Sequence, residues 1–221
     1  MRIEPRNEFD VTTREAITIQ LALAPKIITE NRLKSPPNLI LGLDVSVNRN
    51  SEAVAAAVIL SYPGLEVIEK AVLKSKVSFP YVPGLLSFRE IPITLQICEK
   101  LNLQPDLVMV DGQGMAHPRR IGLASHLGLL LNIPTIGCAK SRLCGEYEEP
   151  EDAIGSFNFV RDKGDIIGAA LRTRSGSKPL IISIGHQIDL PSAINWVLKC
   201  GKGYRLPEPT RMAHLASRGL I

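Results

Sequence analysis

Residues Leu107 to Gly114 read LVMVDGQG: four apolar residues, a carboxylate, then a turn carrying two glycines. The apolar run is too short and too continuous for a strand with one wet face. It reads as a strand buried on both faces that delivers Asp111 at its carboxyl end. In open α/β sheets that end is where ligands bind. A plainer reading has Asp111 opening a turn and capping a helix near Pro118, because Asp and Gly are ordinary turn residues. The stretch alone supports both, so its surroundings decide.

Downstream, the pattern predicts a helix from about Pro118 to Leu131, then an apolar strand from Pro134 to Ala139 that ends at Lys140. Upstream, Leu39 to Asn48 alternates. Leu39, Leu41, Leu43, Val45 and Val47 share one face, while Gly42, Asp44, Ser46 and Asn48 share the other, a face left free for chemistry or solvent. Ala53 to Leu60 and Glu66 to Val77 read as two more strands joined at Tyr62-Pro63-Gly64, which implies an antiparallel meander. The rigid loop FPYVPG, Phe79 to Gly84, follows. After it comes a helix with Leu85, Phe88, Leu95, Cys98 and Leu101 on its apolar side, which Pro92 should disturb. Strands alternating with helices here imply parallel pairing.

At the amino end, Thr12 and Glu15 have capping-box spacing, so a helix is expected that ends or kinks near Pro25 and is broken by KSPPN, Lys34 to Asn38. Beyond Pro150, three strand-like runs at 153 to 160, 165 to 173 and 179 to 185 are separated by DKGD and RSGSKP. A helix from Pro191 to Cys200 should stop at Gly201, and a last helix begins within LPEPT and carries His214. The fold class is therefore α/β, with a mixed central sheet, an antiparallel meander plus parallel strands, flanked by helices.

With 221 residues, one domain spanning the whole chain is expected. Hydrophobic residues at 45% and charged ones at 22% are globular values. No run approaches the roughly 18 apolar residues of a membrane helix, and MRIEPRNEFD has no apolar leader core, so a cytoplasmic protein without a membrane partner is expected. Cys98, Cys138, Cys144 and Cys200 have no zinc-ligand spacing and are expected to be reduced and mostly buried. The net charge of +4 is uneven: from Arg161 to Ile221 there are ten Lys plus Arg against four Asp plus Glu. A basic carboxyl-terminal third facing acids nearer the front suits a polyanion held over a metal, though an ordinary solvated surface has the same charges.

Four residues stand out on this map: Asp44 on the first strand, Glu90 on the helix after the meander, Asp111 at the fourth strand's end and His214 on the final helix. If the first and fourth strands are neighbours, three carboxylates and an imidazole converge into a hard, oxygen-rich site suited to Mg²⁺ or Mn²⁺. Taken singly, each has a bland reading: a solvated strand residue, a surface pair with Arg89, a turn residue, an exposed helix histidine. Lys140 alone is an ordinary surface lysine.

The strings GLDVS (42 to 46), PYVPGLLSFREIP (80 to 92), VDGQGMAHPRRIGLASHLGLLLNIPTIGCAKSRL (110 to 143), GHQIDL (185 to 190) and LPEPTRMAH (206 to 214) together resemble the endonuclease V family, collinearly over about residues 12 to 217. The resemblance implies a ribonuclease H-like fold and a DNA-repair nuclease that cuts the second phosphodiester bond 3′ to a deoxyinosine with Mg²⁺ or Mn²⁺. It implies Asp44, Glu90, Asp111 and His214 as the metal set, with Lys140 and His214 assisting catalysis. His214 departs from members with aspartate there, while Pro25 and Gln187 are minor variations.

The same resemblance implies a recognition set: the wedge Pro80, Tyr81, Val82 and Pro83, a base pocket shaped by Gly84, Leu86, Gly112, Gly122, Leu123 and Gly137, and His117 and Arg119 approaching the nucleic-acid backbone. Tyr81 between two prolines is otherwise a surface residue in a rigid turn. The partner is expected to be inosine-containing DNA, with RNA as an alternative, met by a monomer. An inosine-specific ribonuclease, another nuclease of this fold such as a junction resolvase, or a binding protein that has lost catalysis are the rival readings.

Overall fold

The computed structural model describes residues 8–33 and 36–221. Lys34 and Ser35, at the expected break, and most of the amino-terminal stretch lie outside the described residues. Eight strands form one sheet in the order β3-β2-β1-β4-β5-β8-β7-β6. They are β1 (Leu39–Val47), β2 (Glu52–Ser61), β3 (Val67–Lys76), β4 (Leu107–Val110), β5 (Thr135–Ala139), β6 (Phe157–Asp162), β7 (Asp165–Leu171) and β8 (Leu180–His186). The first three form the antiparallel meander, and β1, β4 and β5 run parallel. This is the mixed, ribonuclease H-like sheet that the sequence implies.

Helices α1 (Thr13–Leu23), α2 (Leu86–Glu99), α3 (Leu123–Leu131), α4 (Leu190–Lys199) and α5 (Glu208–Ser217) flank it. The capping box forms as expected: Thr12 N–H donates to Glu15 Oε2 at 2.7 Å, and Glu15 N–H to Thr12 Oγ1 at 3.3 Å. Residues alternating along β4 feed two cores. Leu107 and Met109 pack with Ile194, Val197 and Ala213 of α4 and α5, while Val108 and Val110 pack with Ile91, Ile97, Ala124 and Leu127 of α2 and α3.

Several expectations need correction. Helix α2 runs unbroken through Pro92. Burial of Phe88, Ile91, Ile93 and Ile97 on both sides of the proline outweighs a penalty of about 3 kcal/mol. Its buried face also centres on Ile91 and Ile97, with Leu95 only half-buried. Helix α3 starts at Leu123 instead of Pro118, because residues 118–122 form a turn with Arg120 at φ 59°. The run from 153 becomes strand only at Phe157. Helix α4 ends at Lys199 with Cys200 as its cap, and Gly201 is absent from the positive-φ residues, so it is not a left-handed stop.

The largest correction concerns the polar face of β1. It is not free: α5 lies on it, and Gly42 is the seat. A Cβ at Gly42 would lie 1.9 Å from the Pro209 carbonyl oxygen, which is backbone and cannot step aside. Gly42→Ala should therefore lift the start of α5 and cost about 1 to 3 kcal/mol. Gly64→Ala, where the nearest atom is 3.6 Å away, should stay within about 0.5 kcal/mol of the parent protein. Thermal unfolding of the pair checks this, and equal melting temperatures would show that α5 has room to move.

Candidate active site

Parallel pairing of β1 with β4 sets Leu43 beside Val110, and the Asp111 N–H donates to the Leu43 carbonyl at 3.1 Å. Asp44, within β1, and Asp111, one residue past the end of β4, are thus neighbours on adjoining strands. Strand β5, parallel to β4, ends one residue before Lys140, whose ammonium forms an ion pair with the Asp111 carboxylate. Helix α5 supplies two more groups. Ser217 Oγ donates to Asp44 Oδ2 at 2.5 Å, and His214 Nδ1 lies 3.4 Å from the same oxygen. Arg205 braces the site from outside by donating to the Lys140 carbonyl at 2.5 Å and the Pro179 carbonyl at 2.9 Å.

Ligand atoms of Asp44, Asp111 and His214 all fall within 4.8 Å of one another. Glu90 stands just outside that trio, buried on α2. Burial, followed by the negative charges of Asp44 and Asp111, pushes its carboxyl up to about 8. Asp111 is also raised, chiefly by burial and further by Asp44, with the Lys140 ammonium opposing. A divalent cation fits this donor set, because it would relieve repulsion among buried carboxylates and give the buried, unpartnered His214 Nδ1 an electrophile. Asp44, for which solvent exposure is the ordinary reading, is only 8% exposed.

A pocket of about 260 Å³ opens beside these groups, and Asp111 and Lys140 belong to its wall. Its lining comes from the loop Tyr81, Val82, Pro83 and Gly84, from Leu86 and Ser87 at the start of α2, and from Gly112, His117, Gly122 and Leu123 after β4. Tyr81 is 71% exposed. Pro80, Arg119 and Gly137 are not in the lining. Gly137 instead lets the turn after Asp111 lie on β5, since a Cβ there would meet Gly114 N at 2.5 Å and Gly112 O at 2.7 Å.

His117 and Arg119 meet within the chain. Both engage the Gly84 carbonyl, His117 through Nε2 at 2.9 Å and Arg119 through its guanidinium at 2.7 Å. His117 Nδ1 accepts from the Arg119 N–H at 3.1 Å, which leaves Nε2 as the donor. Burial lowers this imidazole to about 4, so it is neutral at pH 7.

The sequence reading missed four polar groups here. Ser217 anchors Asp44, and its signal is its position one turn after His214. Gln20, Ser87 and Gln113 line the pocket, and Ser87 Oγ and Gln113 Oε1 are buried without a hydrogen-bond partner. A polar residue at a core position of a helix, as Gln20 is between Ala16 and Leu23, was the available sign.

Comparison with known proteins agrees with this geometry. The family model for Endonuclease V matches residues 21–215. Endonuclease V of Trichormus variabilis is 50% identical over 214 residues, covering 96% of this chain and 97% of that protein. A solved endonuclease V from Streptomyces avermitilis is 42% identical with a TM-score of 0.89, covering 96% of this chain and 93% of that one. An endonuclease V of Ciona intestinalis, solved in complex with a 23mer DNA containing an inosine followed by a ribo-adenosine, is 31% identical with a TM-score of 0.81, covering 95% of this chain and 98% of that one. With the family model and relatives of this identity spanning nearly its whole length, the chain belongs to the endonuclease V family.

Proposed function

We propose that this chain is a Mg²⁺- or Mn²⁺-dependent endonuclease that recognises inosine in nucleic acid and hydrolyses the second phosphodiester bond on its 3′ side, leaving a 3′-hydroxyl and a 5′-phosphate. The observation that carries the reading is that Asp111, a member of the metal-ligand cluster, and its ion-pair partner Lys140 both stand in the wall of a pocket of about 260 Å³. The Ciona relative bound to inosine-containing DNA supports the substrate class, and its ribo-adenosine keeps RNA as the alternative backbone.

A bound divalent cation would activate water and neutralise the leaving oxygen. Asp44, Asp111 and His214 would hold it, with Glu90 completing the shell. Ser217 fixes the carboxylate of Asp44 in one orientation. Lys140, paired with Asp111 when no substrate is present, is the ammonium positioned to meet the phosphate. At the pocket, the first N–H groups of α2 at Leu86 and Ser87 have no partner within the helix, so they would be the donors for an acceptor on the base. Hypoxanthine offers a carbonyl where adenine offers an amine. Tyr81 would fill the stack left by the extruded base.

Asp111→Asn should cut cleavage in Mg²⁺ by about a hundredfold or more, while its affinity for inosine DNA in Ca²⁺ stays close to that of the parent. Full turnover by this variant, or equal cutting by the parent in chelator, would remove the metal mechanism. Matched undamaged duplexes cut as fast as inosine ones would favour a ribonuclease or junction resolvase reading.

Tyr81→Ala should weaken binding to inosine duplex by about tenfold, since stacking contributes about 1 to 3 kcal/mol. Single-stranded inosine substrate should lose less, because nothing has to be unstacked. Equal losses on both would make Tyr81 a support of the loop.

The Glu90 carboxyl, raised from 4.5 to about 8, binds its proton more tightly in the folded chain than in the unfolded one. Its contribution is therefore complete below about pH 4.5 and is lost as pH rises through about 8. Melting curves of metal-free protein should show stability falling across that window. The rise in melting temperature on adding Mn²⁺ should grow over the same range, as the competing proton leaves. A Mn²⁺ effect independent of pH would place Glu90 outside the metal shell.

A further inference from the structure

Helix α1 sends nothing to the acid cluster, yet its Gln20 is fully buried and reaches the pocket. Every polar atom of that side chain faces a partner. Nε2 donates to the Gly84 carbonyl at 3.0 Å and the Ile121 carbonyl at 3.3 Å, and Oε1 accepts from Arg119 Nε at 2.6 Å. Two carbonyls on one side and a guanidinium on the other fix which end is the amide nitrogen. Gly84 and the residue after Ile121 both line the pocket, so Gln20 ties two separate stretches of its wall together.

The Gly84 carbonyl collects three donors in all, from Gln20, His117 and Arg119. An oxygen with two lone pairs that already receives three donors has no capacity for a ligand. The Leu85 N–H donates to Val82 O at 2.9 Å, so the peptide unit between Gly84 and Leu85 is held at both ends. Gly84 sits at φ 80°, where a glycine backbone is not fixed by its own sterics. Side chains fix it instead.

This orientation matters for which base is accepted. An unengaged carbonyl in the pocket would welcome the exocyclic amine of adenine and repel the carbonyl of a deaminated base. We propose, resting on the inosine reading above, that Gln20 is a positioning residue for base discrimination. It holds Arg119 on the Gly84 carbonyl while donating to that carbonyl itself, and ties the Gly84 and Ile121 stretches together, so that the pocket presents donors and refuses adenine.

The test compares dissociation constants, by fluorescence anisotropy in Ca²⁺, for two otherwise identical duplexes carrying inosine or adenine at one position. Gln20→Leu removes all the bonds. Gln20→Glu keeps the contact with Arg119 but sets an acceptor against the Gly84 and Ile121 carbonyls, so it separates the donor role from packing of α1. Both variants should lower the adenine-to-inosine ratio of dissociation constants by about tenfold. A ratio preserved in Gln20→Glu, or in a folded Gln20→Leu, would overturn the proposal and make Gln20 a structural residue of α1. A parent protein that binds the two duplexes equally would instead sink the inosine reading, and this proposal with it.

Discussion

Two carboxylates held side by side on adjoining parallel strands, Asp44 within β1 and Asp111 just past the end of β4, are the constraint on which this structure turns. Like charges so close and so little hydrated repel, and the surrounding fold is arranged to tolerate them. Lys140 answers Asp111 from the end of the next strand, and Ser217 fixes Asp44 from the helix across the sheet face. Glu90 carries the remaining strain as a raised proton affinity. Parallel pairing of β1 with β4 demands a crossover over one face of the sheet, and α2, which brings Glu90, lies within that crossover. The topology that creates the repulsion thus also delivers its third acid.

Much of this was legible in the sequence, for physical reasons that can be named. The continuous apolar run before Asp111 has the pattern of a doubly covered strand, and the alternation through Leu39 to Asn48 put Asp44 on the face opposite the leucines. Periodicity cannot say what lies on a polar face, so α5 over Gly42 was invisible: the glycine's meaning depends on the Pro209 backbone far along the chain. Pro92 misled because local propensity is weaker than the burial of four large side chains around it.

The recognition loop shows the same limit from another side. His117 and Arg119 are the residue types that contact phosphate, and nothing in the sequence distinguishes a cation waiting for a ligand from one engaged inside the chain. The structure engages both on one carbonyl. Gln20 escaped notice because a single polar residue in an amphipathic helix is usually solvated, and only its position between buried Ala16 and Leu23 betrays it.

The turn after Asp111 links these two halves. Gly114 is pressed against β8, where a Cβ would meet the Ile184 carbonyl at 2.1 Å, and Gly122 is pressed against the Gln113 carbonyl at 2.4 Å. With Gly137 beneath it, the turn is clamped between β5, β8 and the start of α3, and so has little freedom to move independently of the sheet. The same few residues therefore set both the position of Asp111 and the wall formed by Gly112. Under the proposed function, a base seated against that wall stands at a set separation from the carboxylates. Which phosphodiester bond reaches them is then decided by the length of nucleic-acid backbone between two fixed points, and the chemistry needs no sequence recognition of its own.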